Sequence, residues 1–243
     1  MVKVAVISDV HSNLAALEAV LAEVDQAGVD EMWCLGDLVG YGPEPDRCVD
    51  LVMSRTSVCL SGNHDMVVSG EISASVFAHD AAAAADWTRD TITPSTMEAL
   101  RSLHPSGAHH DVELYHGSIR DPVWEYVIDD RTAAICLELQ SSKLALIGHS
   151  HVPLVYGYDA DTFVAGMTPA DTRMELGAGP FLLNPGSVGQ PRDGDPRASY
   201  LLLDPDDGIA TWRRTTYDVD RTRDAIEEAG LPRRLGLRLY EGR

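Results

Sequence analysis

Five short apolar runs in this sequence each end in residue types that bind transition metals. The residues that follow the runs are, in chain order, Asp9 with His11, Asp37, Asn63 with His64, His116, and His149 with His151. Imidazole, carboxylate and amide ligands without a thiolate suit Mn, Fe, Zn, Co or Ni, and Mg is also possible. The sequence therefore predicts a metal site that several separate segments of the chain build together.

Each motif has an ordinary structural explanation when it is considered alone. Asp37 could cap the helix that begins near Pro43, Asn63 could form an Asx turn, and His116 could be a core histidine bonded to backbone. A single Asp-x-His is more often a solvated turn than a ligand pair. Core packing does not require such residues at the ends of five strands, so their joint occurrence favours the metal site.

The elements that must position these residues follow from the apolar periodicity. In the first sixty residues, apolar runs rich in β-branched residues alternate with stretches of helical spacing. The predicted strands are Val2–Ile7, Glu31–Leu35 and Ser57–Leu60, with helices at about 13–27 and 43–53. This alternation predicts a parallel sheet, and ligands bind beyond the carboxyl ends of parallel strands. If the five ligand-bearing strands are parallel neighbours, their side chains converge on one edge.

The rest of the chain departs from this regular beginning. Residues 66–108 are predicted to form a helical insert, with one helix around Ala81–Ala85 and another from Ser95, whose spacing to Glu98 matches a capping box. Strands then resume at a shorter spacing, which predicts a more antiparallel second half. They lie at Val112–Tyr115, Leu144–Ile147, Leu154–Tyr158, Phe181–Leu183, Ser199–Leu203 and Ile209–Arg213, before a final helix at Asp220–Ala229.

The composition is that of an acidic globular chain, expected to form one domain over residues 1–243. It has 19 Lys plus Arg against 38 Asp plus Glu, a formal net charge of −19. Such a surface repels duplex nucleic acid, although bound metal ions can still attract a small anionic substrate. The four cysteines form no C-x-x-C pair and are predicted to be reduced core residues. No signal peptide or membrane-length apolar run occurs, so a cytoplasmic protein without a membrane partner is expected.

The combined motifs resemble those of the calcineurin-like metallophosphoesterase family. They occur in the family's order as Asp9-Val10-His11, Gly36-Asp37 before Gly40, Gly62-Asn63-His64-Asp65, His116-Gly117 and Gly148-His149-Ser150-His151. The stretch 184–192, Asn-Pro-Gly-Ser-Val-Gly-Gln-Pro-Arg, is similar to the bacterial predicted-phosphodiesterase branch. The resemblance covers most of the chain. It implies an α/β (α+β) fold of four αββα layers, in which two mixed β-sheets pack face to face between helices.

The resemblance also implies a role for each residue of the motifs. Two metal ions would be bound, the first by Asp9, His11 and His151, the second by Asn63, His116 and His149, with Asp37 bridging both. A hydroxide between the ions would attack phosphorus. His64 would be the general acid for the leaving alkoxide, and Asp65 either orients His64 or, more simply, caps the next helix.

A few residues stay open between a functional and a structural interpretation. Arg192 could grip phosphate from its Gly- and Pro-rich loop, or pair with Asp193 or Asp195 on the surface. Trp124 and Tyr126 could stack on a nucleobase, but core packing is the simpler expectation. The other histidines match no ligand motif and are expected to have surface or local structural roles: His79, His104, His109 and His110.

The sequence therefore predicts a phosphoesterase that uses two metal ions to hydrolyse a small phosphate ester, with diesters preferred over monoesters. One alternative uses the same site on a nucleotide or dinucleoside polyphosphate, with the insert at 66–108 as a lip that selects the substrate. The other is a non-catalytic interaction scaffold, which the complete set of ligand residues disfavours. Nothing in the sequence indicates the oligomeric state.

Overall fold

Two six-stranded β-sheets pack face to face in the computed structural model, which describes residues 2–160 and 162–243. Strands are numbered in chain order. The first sheet contains, in spatial order, β3 (Val58–Cys59), β2 (Glu31–Cys34), β1 (Val4–Ile7), β11 (Ala198–Asp204), β12 (Ile209–Thr215) and β9 (Arg173–Glu175). The second contains β4 (Ser106–His109), β5 (Val112–Tyr115), β6 (Leu144–Ile147), β10 (Phe181–Pro185), β7 (Pro153–Asp159) and β8 (Thr162–Met167).

Both sheets are mixed, as the family resemblance implied. In the first sheet β1, β2 and β3 are parallel, whereas β11, β12 and β9 continue the sheet in antiparallel pairs. In the second sheet β5, β6 and β10 are parallel, flanked by antiparallel β4, β7 and β8. Helical crossovers connect the parallel pairs β1–β2, β2–β3 and β5–β6, whereas short connections join the antiparallel pairs β4–β5, β7–β8 and β11–β12.

The five ligand-bearing strands are not neighbours in a single sheet, so their side chains do not meet at the edge of one sheet. β1, β2 and β3 belong to the first sheet, while β5 and β6 belong to the second. Each sheet must cover an apolar face, and here the two sheets cover each other. The ligand loops therefore meet across the gap between two sheets, at carboxyl ends that lie side by side.

The main core fills the space between the sheets. Trp33 and Val6 from the first sheet pack with Leu146 and Phe181 from the second, and all four side chains are fully or almost fully buried. β1 is buried on both faces, because its alternate residues contact the outer helices instead. A strand covered on both sides needs a continuous apolar run, which explains why β1 was readily predicted.

Helices cover the outer faces and complete the four layers. Beside the first sheet lie α1 (Leu14–Ala27), α2 (Pro45–Arg55), α3 (Asn63–Ser69), α4 (His79–Thr91) and α5 (Pro94–Arg101). The second sheet is covered by α6 (Asp130–Leu139). Near the C-terminus α7 (Val219–Glu228) and α8 (Arg233–Leu237) pack with α4 in a small cluster of their own. Short 3-10 turns occur at Ala74–Val76 and Arg238–Glu241.

Side chains cap the first turns of α1 and α5. The side chain of Asn13 accepts the N–H of Ala16 at the start of α1. The capping box predicted at Ser95 is wrong, because α5 begins at Pro94 and is capped by Thr93. Proline suits the first helical position since its missing N–H would have no partner there.

Some elements escaped the sequence patterns altogether, namely β4, β8, β9, α6 and α8. The strands among them are half exposed or short, so they lack a clear apolar alternation. The cysteines are free thiols as predicted, and three of the four are buried. Within residues 2–160 and 162–243, no helix combines the length and apolar content that crossing a membrane would take.

Candidate metal centre

All seven predicted metal ligands come together where the carboxyl ends of the two sheets meet, and none is more than 4% exposed. Six of them, all but Asn63, fall into two groups, with Asp9, His11, Asp37 and His151 in one and Asp37, His116 and His149 in the other. Within each group, the candidate ligand atoms all lie within 4.8 Å of one another. Asp37 belongs to both groups, which is the position that the resemblance implied for it.

Asp37 occupies the middle of this arrangement. Its Oδ2 atom lies 3.6 Å from Nε2 of His11 and 3.5 Å from Nε2 of His116. On the first side Asp9 Oδ1 is 3.2 Å from Nε2 of His151. On the second side Asn63 Oδ1 is 3.1 Å from Nε2 of His116, so the predicted amide ligand also faces the centre.

The orientation of each imidazole is set by a backbone carbonyl behind it. The pairs are Nδ1 of His11 with Val39 O (3.0 Å), Nδ1 of His116 with Leu35 O (2.8 Å), Nδ1 of His151 with Gln190 O (2.6 Å) and Nε2 of His149 with Trp124 O (3.2 Å). A carbonyl only accepts, so the bonded nitrogen must carry the hydrogen. The other nitrogen then directs a lone pair at the centre, as metal-binding histidines do.

Charge and hydrogen bonding at the centre are unbalanced in the protein alone. Asp9 Oδ1 and Asp37 Oδ2 are buried without a hydrogen-bond partner. Nε2 of His11 and Nε2 of His151 lie only 3.1 Å apart, although neither carries a hydrogen in this arrangement. Burial lowers the pKa of the four histidines, to about 3 for His149, so they cannot supply the missing protons. A divalent cation satisfies all these atoms, so the residues present fit a metal.

The loops that carry the ligands are strained in a consistent way. Asp9, His11, Asp37, His149 and His151 all have φ between 49° and 61°, a left-handed conformation that non-glycine residues seldom adopt. Each such residue costs of order 1 kcal/mol or more and persists only where its surroundings enforce it. Strain concentrated on five ligand positions indicates that the loops are shaped for the centre rather than for chain reversal.

Two residues that follow β3 in the chain, Gly62 and Asp65, hold the Asp37 carboxylate in place. Gly62 approaches Asp37 so closely that a Cβ atom there would lie 2.0 Å from Oδ1. Asp65 accepts hydrogen bonds from the N–H groups of Gly62, Leu38 and Val39, and thereby ties the start of α3 to the Asp37 loop. The capping role expected of Asp65 is confirmed. Burial raises the pKa of Asp65 to about 7. Burial also raises the pKa of Asp37, and the negative charges of Asp65 and Asp9 raise it further.

His64 lies beside the centre within a box of aromatic rings. Its ring centroid is 4.4 Å from those of Tyr41 and Phe77 and 4.8 Å from that of His11. Its Nδ1 atom is buried without a hydrogen-bond partner. Burial and the charge of Arg192 hold the pKa of His64 well below its usual value, so the ring is neutral in the protein alone.

Arg192 does not form the surface ion pair that the sequence left open. Asp193 instead pairs with Arg214, and Asp195 pairs with Arg197. Nη2 of Arg192 lies 3.3 Å from the hydroxyl of Tyr41 and 3.1 Å from Oε1 of Gln190. The guanidinium is therefore held next to the centre by neutral groups, and phosphate binding by Arg192 stays a prediction.

Comparison with known proteins decides the family. Residues 2–208 match the calcineurin-like phosphoesterase superfamily domain. The chain belongs to this family. An uncharacterized protein of Methanocaldococcus jannaschii is 36% identical over 247 residues, which covers 99% of this chain and 98% of that protein.

Solved structures agree with this assignment. The metallophosphoesterase from Sphaerobacter thermophilus is 39% identical with a TM-score of 0.90, covering 100% of this chain and 99% of its own. The hypothetical protein PH1004 from Pyrococcus horikoshii OT3 has a TM-score of 0.81 at 19% identity, with the same coverage, and shows the shared fold alone. The predicted family and fold are thus confirmed, and the protein is a metal-dependent phosphoester hydrolase.

In this phosphoesterase, the core-packing expectation for Trp124 and Tyr126 was wrong. The two residues are 36% and 45% exposed. The Tyr126 ring stacks on His149 with 4.0 Å between centroids, and Trp124 lies edge-on to Phe77 at 6.1 Å. They sit in the loop that follows β5, and that position directly after a ligand-bearing strand was the available sequence signal. Tyr41 and Phe77, which also border the centre, were missed because no local pattern marks them.

Proposed function

We propose that the two groups of ligands hold two divalent metal ions, with Asp37 between them, and that the enzyme hydrolyses phosphodiesters. The observation that carries this proposal is Asp37 Oδ2, an unpartnered carboxylate oxygen about equally distant from Nε2 of His11 and of His116. When bound, two such ions would draw phosphate oxygens and supply a hydroxide nucleophile at neutral pH.

The residues of the chain would do the remaining work by orientation and proton transfer. The backbone carbonyls behind the four histidines keep each lone pair directed inward, so the ligands need no rearrangement to act. His64 would protonate the leaving oxygen. A phosphate beside His64 brings negative charge, which raises the pKa of the ring from its depressed value in the protein alone.

Preference for diesters over monoesters rests mainly on the sequence resemblance to the predicted-phosphodiesterase branch. His64 as general acid is compatible with it, because protonation assists the release of an alkoxide, which is a poor leaving group. Turnover of bis-p-nitrophenyl phosphate and of p-nitrophenyl phosphate, each measured with Mn²⁺ and with chelator, tests the proposal. Faster cleavage of the monoester would contradict the diester preference, and activity that survives chelation would contradict the metal centre.

The exposed aromatic rings favour a second candidate, in which the diester is a nucleotide. Trp124, Tyr126 and Phe77 border the centre, and Phe77 comes from the segment predicted as a substrate-selecting lip. Stacking of one base on an aromatic side chain contributes about 1–3 kcal/mol.

Trp124→Leu tests this candidate with little disturbance, because the backbone carbonyl that binds His149 is retained. Thymidine 5′-p-nitrophenyl phosphate and methyl p-nitrophenyl phosphate share a leaving group, but the second ester group is a nucleoside in one and a methyl group in the other. We expect KM to rise about tenfold for the thymidine ester and much less for the methyl ester. Equal changes for both would remove the nucleotide candidate.

A further inference from the structure

A cavity of about 390 Å³ opens next to the metal centre and carries positive charge. Arg234 and Arg238 line it together with Tyr41, and Ala78 and Ala81 from the start of α4 form the opposite wall. These residues come from distant parts of the sequence, so no local motif marks the cavity.

Tyr41 is the wall that the cavity shares with the centre. Its ring centroid lies 4.7 Å from that of His11 and 4.4 Å from that of His64. The guanidinium carbons of Arg192 and Arg238 lie 5.8 Å and 6.0 Å from the Tyr41 centroid. Two cationic groups therefore flank one aromatic ring whose other contacts are a predicted metal ligand and the predicted general acid.

These arginines lack the acidic partners that other arginines of the chain have. In residues 2–160 and 162–243, no carboxylate forms an ion pair with Arg192, Arg234 or Arg238, whereas the adjacent Arg233 pairs with Glu227 at 2.9 Å. Asp80, which also lines the cavity, lies 3.3 Å from Nδ1 of His79.

The arrangement has an electrostatic cost in the absence of an anion. Arg238 is half-buried, and its burial together with the nearby charge of Arg192 lowers its pKa. Its Nε–H donates to the main-chain oxygen of Arg243, and Asp80 in the same cavity wall raises its pKa and so offsets part of the charge. In a chain with a net charge of −19, three arginines close to one phosphoesterase centre, with a single carboxylate in the cavity wall, indicate an anionic ligand.

We propose that this cavity binds a second phosphate group of the substrate, one that is not cleaved. The inference rests on the proposed function, because it requires the scissile phosphate to lie at the adjacent metal centre. Guanidinium groups bind phosphate oxygens through paired, charge-assisted hydrogen bonds. The substrate class is therefore a phosphate ester with at least one further phosphate, such as a dinucleoside polyphosphate or an ester of a nucleoside diphosphate.

Binding of inorganic ions to the metal-loaded protein tests the cavity without any turnover. The variant is Arg234→Gln with Arg238→Gln, and the matched control is Arg233→Gln, the same change on an exposed, ion-paired neighbour. By calorimetry, we expect the double variant to bind tripolyphosphate at least about tenfold more weakly, because charge-assisted bonds are lost. Orthophosphate is too small to reach both sites, so its affinity should change far less. An unchanged tripolyphosphate affinity, or an equal loss for both ions, would overturn the proposal.

Turnover separates failure of the cavity from failure of the proposed function. In the double variant, KM for a dinucleoside polyphosphate should rise at least about tenfold more than KM for bis-p-nitrophenyl phosphate. Equal KM changes in an active enzyme would overturn the cavity and leave the proposed function standing. If no ester is cleaved by any form, while the double variant alone loses tripolyphosphate affinity, the cavity is a polyphosphate-binding site but the proposed function fails, and with it the assignment of the bound phosphate to a substrate. Thermal unfolding that matches the Arg233→Gln control establishes that the double variant is folded.

Discussion

The protein contains two clusters of histidine and carboxylate groups that look alike in composition and differ in chemistry. One is the metal centre at the carboxyl ends of the strands. The other joins Glu31 of β2 to His109 and His110 at the β4–β5 turn, on the opposite end of the same two sheets. In both clusters the candidate ligand atoms lie within 4.8 Å of one another.

The difference lies in how their acceptors are satisfied. Glu31 accepts hydrogen bonds from His109 and His110 at 3.0 and 2.8 Å, and from Trp33 and Ser57 at 2.9 and 2.7 Å. These bonds lower the pKa of Glu31 to about 2. Asp37 is almost fully buried, yet its Oδ2 atom has no hydrogen-bond donor at all. Ligand-type residues that lie close together are therefore not enough to identify a metal centre. Buried acceptors without hydrogen-bond donors distinguish the metal centre from a hydrogen-bonded cluster that links the two sheets.

The sharpest test of this comparison is the same change at each cluster. Asp37→Asn should lose most of the bound metal and lower turnover by more than about 10²-fold, the upper range for residues that only support a ligand. Glu31→Gln should keep the metal content of the original chain. Metal per chain by plasma mass spectrometry, with turnover of bis-p-nitrophenyl phosphate, measures both. Equal metal loss from the two variants would show that the hairpin cluster binds metal as well.

The same histidine-to-glutamine change can be made beside the metal centre, at His64, and in the Glu31 cluster, at His109. His64→Gln should lower kcat by about 10²–10⁴-fold without loss of metal, because it removes the proton donor and no ligand. The loss should be larger for an alkyl ester than for a p-nitrophenyl ester, whose leaving group needs no proton. His109→Gln, the control, should leave kcat unchanged. A loss independent of the leaving group would assign His64 to binding rather than to proton transfer.

Two glycines with the same backbone conformation allow the effect of a steric contact with His64 to be separated from the effect of backbone strain. Gly40 and Gly70 have φ of 87° and 88°, but an alanine Cβ at Gly40 would lie 2.4 Å from Nδ1 of His64. At Gly70 a Cβ would have no atom of residues 2–160 and 162–243 within 4 Å, apart from its own chain neighbours. Both alanine variants should unfold more easily by about 1–2 kcal/mol. Gly40→Ala alone should lower kcat by about 10²-fold, because it displaces His64 by about 1 Å. The stability of both variants is measured by chemical denaturation. Similar kcat values for the two variants would count against a positioning role for Gly40.

The smallest expected effect is the pH dependence that Glu31 adds to stability. Its pKa in the folded protein, about 2, lies below the ordinary value of 4.5. The stabilisation is therefore complete above about pH 4.5 and is lost as the pH falls toward 2. Because solvent reaches this carboxylate, we expect it to contribute only about 1 kcal/mol. Chemical denaturation at pH 6 and pH 3 measures the free energy of unfolding. Between these pH values it should fall less in Glu31→Gln than in the original chain. Equal falls in the two proteins would contradict a stabilising role for the ionised Glu31.

Features that depend on neighbouring residues were predicted correctly from the sequence, and features that depend on distant segments were not. The strand β1 and the helix α1 were predictable because their apolar periodicity and caps are local. The seven candidate ligand positions were identified for the same reason, since each comes shortly after a predicted strand. Trp124 and Tyr126 were misjudged because aromatic residues pack in cores and line sites alike, and exposure is decided by distant segments.

The sequence by itself determined the candidate ligand residues and the family, because residue type and order along the chain are all that these require. Tertiary structure alone decided that three ligand-bearing strands lie in one sheet and two in the other, since a strand's neighbours depend on the path of the intervening chain. It also decided which imidazole nitrogen faces the centre, through carbonyls such as Gln190 O behind His151. The arginine-lined cavity likewise exists only in three dimensions, because Tyr41 and Arg238 meet by folding across nearly the whole chain.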